Sequence, residues 1–256
     1  MDDRVAAGAA PSPAVPRMKT VKTIIGLALV PAALAAAWAT GATLGPALGT
    51  VKTTFPLLAG ALAFTLLHCL PLFYARGRRG GRRFYVAAHE LTHALAAVFS
   101  GVRVRKISVR SGSGYVLLDS SNTFISLAPY FIPFYTLSVA AVYWTAGRFY
   151  PAAALRPWFL AAAGFTLAFH LLHTADILSG PVQSDLKKAG GALFSLPLLL
   201  LLNCLGLAAA LKLMFPELLS LRAYAARLAA EQRAVYSAIF SAAAYIFNTA
   251  KIYIKS

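Results

Sequence analysis

Long apolar blocks separated by short polar stretches dominate the chain. Runs rich in Leu, Ala, Val and Phe cover about residues 24–46, 54–75, 84–100, 122–146, 157–180 and 191–215. Each is close to the roughly 17 to 25 residues needed to cross the hydrocarbon core of a bilayer. The pattern predicts an all-α polytopic membrane protein with six or seven membrane segments, the seventh being an apolar stretch at 234–250 that could span or lie flat. Proline falls inside several blocks, at Pro31, Pro71, Pro129, Pro133 and Pro197; membrane helices tolerate this where neighbours satisfy the freed carbonyls. One stretch breaks the helical pattern. In "GVRVRKISVRSGSGYVLLD", residues 101–119, Val and Ile alternate with Arg, Lys and Ser around a Gly-Ser-Gly turn, which predicts a short β-ribbon beside the membrane.

The two ends differ from this middle. Residues 1–20 are rich in Ala and Pro with scattered charge, the composition of a disordered tail. They are too polar to begin a cleaved signal peptide, although the block that follows could serve as an uncleaved anchor. Residues 21–215 form the membrane-embedded part, with its core at 84–190. Residues 216–256 form an amphipathic and apolar C-terminal region, in which "LRAYAARLAAEQR" spaces its arginines as a helix lying on a membrane surface would.

Composition supports a membrane setting: 59% of the 256 residues are hydrophobic and 12% charged. The net charge of +16 would suggest nucleic acid in a soluble protein. Here the basic residues flank apolar blocks, so the charge is read as membrane topology and contact with anionic lipid, and nucleic-acid binding is excluded. Cys69 and Cys204 lie far apart within apolar blocks, which gives neither a disulfide framework nor a metal-ligand spacing.

Against this background "HELTH", residues 89–93, needs a reason, because an ionisable side chain at bilayer depth costs at least about 2.5–3.5 kcal/mol. On a helix, positions i and i+4 share a face, so His89 and His93 can converge on one Zn²⁺. Glu90 is angled to reach a water activated by the metal, where it could act as a general base and later protonate a leaving amine. A hydrogen-bonded polar cluster is the structural alternative.

A catalytic zinc site needs a third protein ligand, and the chain has only eight acidic residues. Asp2 and Asp3 lie in the tail, Glu217 and Glu231 in the C-terminal region, and Asp119 at the end of the ribbon. Asp176 and Asp185 remain, with His170 and His173. His170, His173 and Asp176 follow at steps of three on one helix face, while Asp185 lies in the Pro- and Gly-flanked turn "GPVQSDLKKAGG". Spacing alone does not choose between Asp176 and Asp185.

The combination of "HELTHALAAVFSGVRVRKISV", a following Gly-containing ribbon and a distant Pro-x-x-x-Asp resembles the site-2 protease family of intramembrane zinc metallopeptidases. The resemblance covers residues 84 to about 190. It implies metal ligation by His89, His93 and Asp185, with Glu90 as catalytic base. It also implies a ribbon edging the active site, membrane-protein substrates and, because "NTFISLAPYFIPFYTL" is similar to a bacterial branch, a location in the bacterial inner membrane. The chain departs from the family in reading Ser-Asp-Leu where Leu-Asp-Gly is usual, and in carrying Thr92 where the motif has glycine.

The other polar residues fit supporting roles. His170, His173 and Asp176 are candidates to orient the metal-bound groups, and Asn203 to bond between helices or to a substrate backbone. Val104 and Ile107 on the ribbon are candidates to hold an extended substrate by strand addition. Two other functions use the same residues: a non-proteolytic membrane protein with a structural metal, and a transporter or proton pathway built on His170, His173 and Asp176. Charge adds one constraint. "RGRRGGRR", residues 76–83, marks a cytoplasmic loop, so a full crossing by 84–100 would force the basic ribbon outside. A re-entrant motif segment, or an outer position for these arginines, relieves the conflict, and each brings the ribbon and Asp185 to one face. The expected site lies within the membrane near its cytoplasmic surface.

Overall fold

The computed structural model describes residues 15–70, 78–110 and 113–255. It is a helical protein with one two-stranded antiparallel sheet. In chain order the elements are α1 (Val15–Leu48), α2 (Val51–Cys69), α3 (Arg78–Phe99), β1 (Val104–Val109), β2 (Gly114–Leu118), α4 (Thr123–Leu127), α5 (Phe134–Ala146), α6 (Ala152–Leu178), α7 (Ser184–Ala189), α8 (Ala192–Met214) and α9 (Leu221–Lys255), with a single 3-10 turn at Ala128–Tyr130.

Among the described residues, four helical stretches are long and apolar enough to cross a membrane: Lys19–Leu48, Val51–Cys69, Ala152–Leu178 and Ala192–Met214. Thr123–Tyr130 and Phe134–Ala146 make a fifth only if their 77° bend is one broken span. The count is therefore four or five, below the six or seven expected. Pro129 and Pro133 explain part of the difference, since they fall at the break and proline cannot donate the N–H that would carry a helix through it. The motif segment at 84–100, expected either to cross fully or to be re-entrant, is not among these stretches. It belongs to α3, whose polar first turns and ionisable face set it apart from the four apolar helices, and which packs on the ribbon, α4 and the 3-10 turn. The expected tail of residues 1–20 lies partly outside the described residues, and helix is already present from Val15. The Ser111–Gly112 part of the ribbon turn, and Arg76–Gly77 of the basic run, also lie outside them.

The apolar helices pack as two parallel pairs. Gly26 of α1 lies against Leu193 and Phe194 of α8, and further along Leu44 clusters with Ala208 and Leu211. Gly60 of α2 meets the Ala161 carbonyl of α6, Gly164 meets that of Leu57, and His68 reaches Asp176. Without side chains at these glycines the backbones approach closely. α9 runs antiparallel along α1, where the Tyr224 hydroxyl bonds Thr40 at 2.8 Å and the Tyr236 hydroxyl donates to the Ala28 carbonyl at 2.6 Å. The expected amphipathic and apolar C-terminal parts are thus one helix.

At one end of this bundle α7 links α6 to α8. Gly190 and Gly191, at φ 144° and 94°, make the tight turn between α7 and α8 in a region that side chains disfavour. Lys22 of α1 ties this end together by donating to the Ala189 carbonyl at 2.7 Å and to Thr123 Oγ1 at 3.1 Å. At the opposite end Arg156 donates to the Met214 carbonyl at 3.0 Å.

Candidate metal centre

Two local features bring α3, α4 and α7 to one point. Asn122 caps α4 by accepting the Ile125 N–H at 2.8 Å, the usual way a short side chain satisfies a first-turn donor. That fixes the Ile125 carbonyl, which accepts from His93 Nδ1 at 2.7 Å. With its Nδ1 so engaged, His93 turns Nε2 inward. His89 is oriented similarly, with its Nδ1 3.4 Å from the Tyr85 hydroxyl one turn earlier. α7 carries Asp185 in its first turn, and Tyr130 donates to its Oδ2 at 3.3 Å.

The result is a triangle of ligand atoms. His89 Nε2 and His93 Nε2 are 3.2 Å apart, and Asp185 Oδ2 is 3.3 Å from the first and 3.4 Å from the second. Among the described residues these three form the group that could hold a metal ion. Burial pushes the Asp185 carboxyl up, but the hydrogen bonds from His89 and His93 outweigh it and hold the group well below the usual carboxylate range.

Glu90 is buried beside the triangle. Gly114 of β2 sits so close that a Cβ there would lie 2.6 Å from Glu90 Cγ and 2.8 Å from Oε1. A cavity of about 420 Å³ opens from His89, Glu90, His93 and Asp185 and is walled by the whole of β2. A second, of about 170 Å³, meets the same His89, Glu90 and Asp185 from the side of Arg82 and Ile177.

The ribbon's register departs from simple alternation. Val104 pairs with Leu118 but Lys106 with Leu117, so Arg105 is an extra residue, a bulge of the kind that re-aims side chains. Ile107 then pairs with Val116 and shares a face with Val104. Val104 packs with Val102 and Leu118 on the buried Ala96, Ala97, Ile125 and Ala128, whereas Ile107 is 42% exposed. The strand bordering the cavity is β2, and Val104 and Ile107, the residues expected to hold an extended substrate by strand addition, are not among those that line it. An ion pair between Arg105 and Asp119 closes the ribbon's base; it holds the exposed Asp119 carboxyl low through the hydrogen bond from Arg105.

The expected supporting residues are distributed differently. Asp176 pairs with His68 at 3.2 Å. The ring of His173 stacks on Tyr85, with centroids 5.5 Å apart, and Tyr85 in turn lies against His89. His170 is buried against a small cavity shared with His89 and Thr92. Asn203 donates to the Tyr130 and Leu199 carbonyls at 3.0 and 2.9 Å, supporting the residue that bonds Asp185. Sequence reasoning missed Tyr85, Tyr130 and the Ile125 carbonyl as the groups that touch the triangle. Tyr85 could have been found as the residue one helical turn before His89; a backbone carbonyl has no signature.

Compared with family models, with curated proteins and with solved structures, the chain matches none.

Proposed function

We propose that this protein is a membrane-embedded zinc metallopeptidase that cleaves membrane-protein substrates, in the manner of the site-2 proteases that its motifs resemble. The triangle of His89, His93 and Asp185 carries the reading. Ligands about 2.05 Å from a tetrahedral zinc stand about 3.3 Å from one another, and the three separations here are 3.2, 3.3 and 3.4 Å. Two imidazoles and one carboxylate also suit zinc better than the oxygen-seeking magnesium or calcium. Three protein ligands leave a fourth position open, the pattern of catalytic zinc sites.

Bound there, zinc would polarise a peptide carbonyl and make a water acidic enough to attack near neutral pH. Glu90 takes the proton from the attacking water and passes it to the leaving amine. The Ile125 carbonyl, which can only accept, calls for a proton on His93 Nδ1 and so leaves its Nε2 for the metal, while the Tyr85 hydroxyl beside His89 Nδ1 orients that ring. A metal held only for structure would give no role to a carboxylate facing the cavity beside the ligands.

The substrate must present an unwound backbone, because a helix hides its carbonyls. Five consecutive residues of β2, Gly114 to Leu118, wall the main cavity although their side chains alternate between faces. The strand therefore offers its unpaired edge, to which an extended segment can add by backbone hydrogen bonds. Lys22, Lys187 and Lys188 join the ribbon's Arg103, Arg105 and Lys106 at this end, which favours a cytoplasmic orientation in a bacterial inner membrane. The deciding test is Glu90→Gln in the purified protein. It should retain zinc and lose cleavage of a single-span substrate by at least about a hundredfold; normal cleavage by that variant refutes the mechanism.

A further inference from the structure

Two cavities meet at the metal triangle, and the smaller one has no part in the strand-edge contact. Arg82, Val86 and Glu90 recur at intervals of four along α3 and all line this smaller cavity, so it follows one face of the helix. From Arg82 to Glu90 the helix rises about 12 Å, the length of three to four residues of extended chain. A peptide bond seated at the triangle sends one arm along β2. The other arm has this second cavity to enter.

The charge at its far end is positive. Among the described residues, Asp119 is paired with Arg105, Asp176 with His68, and Asp185 with the two histidines. Arg82 is exposed while lining this cavity, so an acidic group of a bound chain can pair with it there. We propose that the second cavity receives the substrate arm leading away from β2, and that Arg82 selects an acidic side chain two to four residues from the cleaved bond.

This inference rests on the peptidase reading, and one experiment separates the two. Purified, zinc-loaded full-length protein in detergent is given a mixture of random-sequence dodecapeptides, and the cut sites are read by mass spectrometry. The wild type should enrich Asp and Glu two to four residues to one side of the cut. Arg82→Gln should reduce that enrichment by about threefold to fivefold, the scale of a partly exposed ion pair, and Arg82→Glu should invert it to Lys and Arg. Lys188→Gln, which alters the first cavity, should leave that position unchanged. Cutting with the same preference in all three Arg82 forms, at equal zinc content, overturns the inference alone. A zinc-loaded wild type that cuts neither these peptides nor a membrane substrate overturns the peptidase reading and this inference with it.

Discussion

His89 Nε2 and His93 Nε2 lie 3.2 Å apart, and both face Asp185 Oδ2. Three atoms that compete for protons at this range are better satisfied by one shared cation. The purified protein should hold about one zinc per chain, and His89→Ala should bring it below a tenth of that. Elemental analysis after gel filtration measures both; full occupancy in the variant would remove the site from α3.

Asp185 and Asp176 were the two carboxylates that spacing could not separate. The fold separates them: Asp185 reaches both imidazoles, while Asp176 is about half exposed and pairs with His68. Asp185→Asn should weaken zinc retention against a chelator by at least about tenfold and abolish cleavage. Asp176→Asn should retain zinc like the wild type. The reverse order in a chelator-competition titration would place the third ligand on α6.

What the sequence made legible divides along physical lines. His89 and His93 are four residues apart, and helical geometry alone brings them together. Asp185 is 96 positions from His89, and its approach depends on α7 being tied to α1 by Lys22 and to Tyr130 by a hydrogen bond, long-range packing that no local pattern encodes. The apolar blocks gave the four long helices, but apolarity did not distinguish a straight span from the bent α4–α5 pair. Nor does apolarity decide whether the motif segment of α3 crosses or is re-entrant; that helix packs its ionisable face against the ribbon and α4. The ribbon's two strands were visible from alternation, and the bulge at Arg105 was not, because an extra residue leaves the apolar letters in place while changing which way they point.

Gly114 offers a test of Glu90 that leaves the metal ligands untouched. An added Cβ would meet Glu90 Cγ at 2.6 Å and Val86 Cγ1 at 2.8 Å, closer than real contacts allow, so either Glu90 or β2 must move. A displacement near 1 Å of a reacting group can cost about a hundredfold in rate. Gly114→Ala should therefore lose most of its cleavage while binding zinc as the wild type does. Unchanged kinetics would mean that the proximity of β2 to Glu90 is not what positions the base.

The register of the ladder determines which backbone groups of β2 can meet a substrate. Arg110 N–H donates to the Ser113 carbonyl at 2.8 Å, so that pair is hydrogen-bonded, and in an antiparallel ladder hydrogen-bonded pairs alternate with non-bonded ones. Following the register, Ser108–Tyr115 and Lys106–Leu117 are the bonded pairs, while Ile107–Val116 is not. The N–H of Val116 therefore points away from β1, to the edge that borders the cavity. Val116→Pro removes that one donor while sparing the ladder, which is where a strand tolerates proline. Cleavage should fall by about tenfold or more with zinc content unchanged. Tyr115→Pro instead removes a ladder bond and should loosen the ribbon itself, seen as faster amide exchange across β1. If Val116→Pro holds zinc and cleaves a single-span substrate at the wild-type rate, the edge of β2 does not hold the substrate.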